Sequence, residues 1–134
     1  MKDRISLNVE EYTSPSIISA SREMSISEIY VLMREKRVRH IPVLEDKKPV
    51  GIILDRDLHL LEILEEDDLS VEDIMVKDPY CVQNETPLDH VAFEMSKRKI
   101  GSAIVVNNEG EIDGIFTSTD GLNALIEVIR GELD

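Results

Sequence analysis

Tryptophan is absent from this 134-residue sequence, and only 3 Tyr and 2 Phe supply aromatic surface. Any core it builds is therefore aliphatic, drawn from Ile, Val, Leu and Met. Cysteine occurs once, as Cys81, which excludes an internal disulfide and fits a reducing, cytoplasmic compartment. No apolar run approaches the roughly 18 residues that a membrane-spanning helix needs. The opening stretch MKDRISLNVEEY holds no apolar segment of the secretory kind. Positive charge is scarce: 15 Lys and Arg stand against 28 Asp and Glu, a net charge of −13. That balance argues against nonspecific nucleic-acid binding, which works by neutralising phosphates, and against docking on an anionic membrane. Catalytic motifs are missing too. There is no Cys-x-x-Cys, His-Glu-x-x-His, Gly-x-Ser-x-Gly or P-loop, and no dedicated metal cluster. The histidines are His40, His59 and His90, and the last two fall in helical patterns without a matching partner.

What is present is a globular composition with 42% hydrophobic residues, in a length that suits one domain or two half-size units sharing a core. The acid is uneven. Residues 1–67 carry 10 basic and 14 acidic side chains, residues 68–134 carry 5 and 14, so a basic patch can survive in the first half. The sequence also repeats. Val9-Glu10-Glu11 recurs 62 positions later as Val71-Glu72-Asp73. The same offset pairs Ile26 with Leu88, Ile29 with Val91, Met33 with Met95 and Val43 with Val105. One inserted residue in the 107–113 turn moves the offset to 63, and Gly51-Ile52 then matches Gly114-Ile115, and Asp57 matches Asp120.

Each copy has the same element order: strand, helix, strand, strand, helix. Short extended pieces are predicted at 17–20 and 80–82. Helices follow from the i, i+3, i+4, i+7 spacing of Ile26, Ile29, Tyr30 and Met33, and of Leu88, Val91, Ala92 and Met95, with Pro87 in the first turn of the second. Strands are predicted at 40–44, 50–54, 103–106 and 112–117, split by polar turns, and closing helices at about 55–65 and 118–130. Leu69 to Met75 is an amphipathic turn joining the copies. The fold class is α+β: an N-terminal extension over 1–8, one repeat over 9–67 and a second over 68–134, related by a pseudo-twofold axis.

Val-Glu-Asp-Ile-Met at 71–75, Arg-His-Ile-Pro-Val at 39–43, and the pair Gly-Ile-Ile-Leu-Asp-Arg-Asp-Leu at 51–58 and Gly-Ile-Phe-Thr-Ser-Thr-Asp at 114–120 resemble the entry, second strand and closing motif of a cystathionine-beta-synthase (CBS) repeat. The resemblance covers roughly 9–130. It implies a tandem pair, or Bateman module, of the stand-alone kind: a non-catalytic, regulatory energy sensor. The family binds AMP, ADP, ATP or S-adenosylmethionine in clefts between repeats, often dimerises, and acts on another protein. No cofactor is required.

The resemblance also assigns roles. Asp57 and Asp120 would take the ribose diol, although an acidic residue in a helix first turn also simply complements the dipole. Thr117, Ser118 and Thr119 would form an anion site, although Thr117 or Ser118 also serves as a plain helix cap. In the first copy Leu54 replaces the Thr. Arg39 and His40 would reach phosphate and Pro42 lies on the same strand, whereas Arg34, Lys36 and Arg37 fit a solvated helix C-terminus. The second copy has uncharged Gly101-Ser102 instead. Ser19-Ala20 and Cys81-Val82 would read the adenine, or else are ordinary strand residues. The chain's acidity ranks AMP ahead of a triphosphate. The alternative is a dimerisation scaffold with vestigial clefts.

Overall fold

A computed structural model describes residues 5–15, 18–64 and 68–132. A 3-10 turn at Val9–Tyr12 is followed by α1 (Ile26–Lys36), β1 (His40–Glu45), β2 (Lys48–Leu54), α2 (Asp55–Leu64), α3 (Val71–Ile74) and β3 (Val76–Lys77). Then come β4 (Cys81–Gln83), α4 (Leu88–Arg98), β5 (Ser102–Val106), β6 (Ile112–Thr117) and α5 (Ser118–Arg130). These match the predicted helices and most of the predicted strands, but in the extended piece expected at 17–20 only Ala20 pairs among the described residues, as an isolated bridge, and β3 was not predicted. Ile17 and residue 65, the outer ends of two predicted elements, lie outside the described residues. The Leu69–Met75 turn contains α3. Pro87 stands at the N-cap of α4, one place before the predicted first turn, because its backbone is extended (ψ 135). Its carbonyl still accepts from the His90 and Val91 N–H groups at 3.1 and 3.2 Å.

The chain folds as two compact units that do not follow the duplication boundary. One is Ile18–Pro79; the other joins Met1–Ile17 to Tyr80–Asp134. Each unit is thus completed by the lead-in segment of the following or preceding copy.

In the Ile18–Pro79 unit, β1, β2 and β3 form an antiparallel sheet in that order. Ala20 bridges Val43 in parallel on the β1 side. The hairpin closes through Asp46 and Lys47, whose positive φ angles of 51° and 67° suit the twist of a two-residue turn. Ser25 caps α1 by accepting from Glu28 N–H at 3.1 Å. The helix stops where Arg37 turns left-handed and Val38 N–H reaches back to the Met33 carbonyl. The apolar spacing puts Ile29 and Met33 in a core with Ile41, Val43, Ile53 and Leu58. Val71 and Met75, from the second lead-in, complete it. Arg22 bridges Glu45 at 3.2 Å and Glu72 at 2.7 Å. Such exposed pairs are worth about 0–1 kcal/mol, so this one aligns the lead-in more than it stabilises the fold.

The other unit repeats the plan. β4 runs parallel to β5, and β6 pairs antiparallel with β5. Ser14 bridges Ile115 on the far edge. Val9 from the first lead-in is buried with Val82, Val91, Met95, Ala103 and Phe116. The Tyr12 hydroxyl donates to the Glu127 carboxylate on α5. That bond, with partial burial, pushes the phenol up to about 12. Both hairpins carry a register shift at matching places, between Val43 and Leu44 and between Val105 and Val106.

Two equivalent glycines admit the lead-ins. A Cβ on Gly51 would lie 2.6 Å from Met75 Sδ, and one on Gly114 would lie 2.6 Å from the Ser14 carbonyl oxygen and 2.4 Å from Thr13 Cγ2. The Val76 carbonyl oxygen would also lie 3.0 Å from a Gly51 Cβ, but the closest atoms there belong to a methionine side chain that can swing aside, whereas the bridged Ser14 backbone against Gly114 cannot. Gly114→Ala should therefore cost about 1–3 kcal/mol, and Gly51→Ala clearly less. Urea denaturation of both variants checks this, and equal costs would contradict it.

Candidate functional site

The sequence-selected residues fall into two sets, one per unit. In the Ile18–Pro79 unit, Ala20 N–H donates to the Pro42 carbonyl at 2.9 Å, and Leu44 N–H donates to the Ala20 carbonyl at 2.8 Å. Ser19 and Ala20 therefore run alongside Pro42 on β1. Asp55 N–H donates to the Arg39 carbonyl at 3.0 Å. That bond fastens the Arg39-His40 dipeptide to the first turn of α2, where Asp57 is the third residue. The Asp57 carboxylate stands 4.0 Å from Arg56 Nε.

The second unit reproduces the frame with different chemistry. Cys81 and Val82 pair with Ile104 and Val105. Ser118 N–H donates to the Gly101 carbonyl at 3.0 Å, the counterpart of the Asp55–Arg39 bond. The Ser118 hydroxyl donates to the same oxygen at 3.4 Å. Asp120 Oδ2 accepts from Thr117 N–H at 2.8 Å and from the Thr117 hydroxyl at 3.1 Å. The helix-capping role is thus real, and it uses one carboxylate oxygen. Among the described residues Oδ1 has no donor, so it is the oxygen available to a ligand hydroxyl. Thr119 is exposed in the same turn. In the first unit Leu54 has no hydroxyl to offer Asp57.

Electrostatics separate the sets further. His40 is partly buried, and that burial pulls its pKa below the usual 6.5. Asp55 opposes the shift while Arg39 and Arg56 reinforce it. His40 is then neutral at neutral pH, and an arriving phosphate would favour its protonation. The Cys81 residue is exposed, yet the atoms packed around its sulfur push the thiol up, so it stays protonated at neutral pH.

Asp55 and Arg56 were not singled out from sequence. A signal for Arg56 existed: a cation in a helix first turn opposes the dipole, so its place between two aspartates asks for a reason. Among the described residues no group of three or more His, Cys, Asp or Glu could hold a metal ion. No described helix is long and apolar enough to cross a membrane.

The sequence matches the CBS domain family over residues 9–61 and again over 71–127. The chain is a tandem pair of CBS domains. Among solved structures, the CBS domain pair of protein MJ0100, in complex with 5'-methylthioadenosine and S-adenosyl-L-methionine, is similar with a TM-score of 0.82. It is 28% identical over 89% of this chain and 99% of that one. CBSX2 in complex with AMP is similar with a TM-score of 0.81 and 25% identity, over 90% of this chain and 97% of that one. Among curated proteins, inosine-5'-monophosphate dehydrogenase of Korarchaeum cryptofilum is 35% identical over 111 residues, 83% of this chain. L-aspartate semialdehyde sulfurtransferase of Methanocaldococcus jannaschii is 32% identical over 121 residues, 90% of this chain. The CBS pair spans 23% of the length of each of these two enzymes.

The low His40 pKa makes a prediction. On acidification the unfolded chain takes up this proton near pH 6.5 and the folded chain only lower, so stability falls as pH drops from 6.5 through the folded pKa. His40→Asn should flatten that part of the pH–stability curve. An unchanged slope in the variant would rule His40 out as its source.

Proposed function

We propose that this CBS pair is a cytoplasmic sensor of an adenosyl ligand, AMP ranking first, with no chemistry of its own. The observation that carries the reading is the state of Asp120. Its Oδ2 is pinned by Thr117 and its Oδ1 is open, so the carboxylate is fixed in direction before a ribose hydroxyl arrives. Two similar CBS pairs are described with adenosyl ligands, S-adenosyl-L-methionine with methylthioadenosine in one and AMP in the other. In this reading Ser19, Ala20, Cys81 and Val82 meet the adenine, and Pro42 shapes the wall beside Ala20. Asp120, with Asp57 as the weaker partner, takes the ribose. Arg39, His40, Thr117, Ser118 and Thr119 meet phosphate. Binding regulates a separate or attached protein by favouring one conformation of the pair, in proportion to its differential affinity for the alternatives.

The test is thermal shift with AMP, ADP, ATP, NADH and S-adenosylmethionine. Ligand at about 100 times its Kd adds roughly 2.7 kcal/mol of stability. Asp120→Ala removes both the open oxygen and the cap, and a lost cap alone costs about 1 kcal/mol. Asp120→Asn keeps an acceptor for Thr117 and loses the charge. It should melt near the wild type, yet lose most of the ligand-induced shift. A full shift in the Asn variant would remove Asp120 from the site, and no shift with any of the five would move the assignment to a scaffold.

One observation favours self-association in either case. The outer face of α5 exposes Leu122 at 59%, Leu125 at 52% and Ile129 at 74%. These recur at helical spacing, a stripe suited to a second copy of the same helix in a homodimer. Leu125→Glu combined with Ile129→Glu should convert a dimer to monomer in sedimentation velocity while leaving the circular dichroism unchanged. A wild type that is monomeric at all concentrations would end this part of the reading.

A further inference from the structure

The fold treats its methionines unequally. Met33, Met75 and Met95 are buried inside the two cores. Met24 is the exception among the described residues. It packs on the rim of the Ile18–Pro79 core yet stays partly exposed, at one end of an open groove of about 450 Å³ along α1. Ser27, Val31 and Leu32 line the same groove. A small polar oxidant therefore reaches the Met24 sulfur without any opening of the core.

Met24 also stands where the second lead-in is clasped. Its N–H donates to the Ser21 carbonyl at 3.3 Å, and Ser21 N–H donates back to Met24 Sδ at 3.4 Å, so the sulfur helps to close this turn. The Met24 carbonyl accepts from Val71 N–H at 3.2 Å, and Ser25 bridges Ser70. Arg22, inside the same turn, holds Glu72 at 2.7 Å. These contacts deliver the fully buried Val71 into its core. The other unit has the same clasp with different chemistry. Thr86 N–H donates to the Gln83 carbonyl at 3.0 Å, and the Thr86 carbonyl accepts from Val9 N–H at 2.9 Å. Thr86 occupies the place in the second copy that Met24 holds in the first. The clasp thus works without sulfur, and a thioether in one copy makes that copy's clasp the one sensitive to oxidants.

We propose that Met24 is a reversible oxidation site whose modification loosens the clasp on the second lead-in. The oxidant is a hydroperoxide. The thioether sulfur attacks one peroxide oxygen, and an S–O bond forms as the O–O bond breaks. The proton of the transferred oxygen passes to the departing hydroxide, which leaves as water. The sulfide is oxidised to a sulfoxide and the peroxide is reduced. The product is polar and chiral, and it is bulkier at the atom that faces both Ser21 N–H and the apolar rim, so one of those two contacts is lost. A methionine sulfoxide reductase restores the thioether. The proposal does not require that an adenosyl ligand binds.

The full chain is treated with dilute hydrogen peroxide, and peptide mapping by mass spectrometry follows each methionine. Met24 should gain its oxygen at least about tenfold faster than Met33, Met75 and Met95, which react only when the core opens. Amide hydrogen exchange then compares the oxidised and untreated chains. Val71 N–H should exchange at least about threefold faster after oxidation, while Val9 N–H, held by Thr86, should not change. Reductase treatment should restore the original rate. Met24→Leu keeps an apolar side chain of similar size, so it should fold as the wild type does and lose the peroxide response. Met24→Gln puts a permanent polar group at the rim, and its Val71 amide should exchange like that of the oxidised chain with no peroxide added. Oxidation of the buried methionines as fast as Met24 overturns the proposal. So does a Val71 amide that exchanges equally before and after, or a peroxide response that persists in Met24→Leu.

Discussion

Close backbone approach at Gly51 and Gly114 is the constraint on which both units rest. A three-element hairpin-and-helix unit of about 60 residues buries too little apolar surface to be comfortable alone. Here each unit takes in a lead-in segment that supplies one fully buried valine, Val9 or Val71, and one further edge to the sheet. That edge can come close only where the facing strand lacks a Cβ. The glycine in the closing motif therefore has a packing role that precedes any ligand role. It lets one piece of chain seal a core, and the same strand then runs on into the helix start that carries the aspartate.

The duplication conserved the frame and let the chemistry diverge. The bond from the first helical N–H to the carbonyl of the residue just before the hairpin's first strand is kept, as Asp55 to Arg39 and Ser118 to Gly101. The parallel pairing of Ala20 with Val43 and of Val82 with Val105 is kept as well. What changed is the side-chain content of that frame. One unit carries Arg39, His40 and Arg56 but lacks the hydroxyl at Leu54. The other carries Thr117, Ser118 and Thr119 around a pinned Asp120 but has no cation at Gly101-Ser102. The cations and the oriented carboxylate are thus divided between the copies, and neither set is the redundant duplicate of the other.

Much of the fold was legible because apolar spacing reports burial directly. Ile29 and Met33, like Val91 and Met95, lie at helical spacing and are buried as that spacing requires. The strand-rich runs around Val43, Ile53, Val105 and Phe116 likewise became core. The composition of the units was not legible. Val9-Glu10-Glu11 and Val71-Glu72-Asp73 mark where each copy starts along the chain. Which core each valine enters depends on packing against Gly114 and Gly51, and that is a three-dimensional fact with no local signature. At the site, sequence could place Asp120 in a first turn but could not decide between cap and ligand contact. The structure shows that a carboxylate has oxygens for both: Oδ2 caps and Oδ1 stays open.

Arg56 illustrates why the rest was hidden. Motif reading attends to the residues that a pattern names, and this one lies in an unnamed position between Asp55 and Asp57. Its physical anomaly, a cation at the positive end of a helix, becomes visible only when α2 is known to begin at Asp55. The same geometry would let an acidic protein receive the proposed anionic ligand. At physiological salt, charges separated by more than about 8 Å are largely screened, so most of the −13 is silent at any one point. In the proposed reading, an approaching phosphate would meet the local set: Arg39, Arg56 and a His40 that burial keeps neutral until an anion favours its protonation. If the proposed ligand's phosphate sits there, binding and proton uptake at His40 would be one coupled event, and ligand affinity would rise as pH falls.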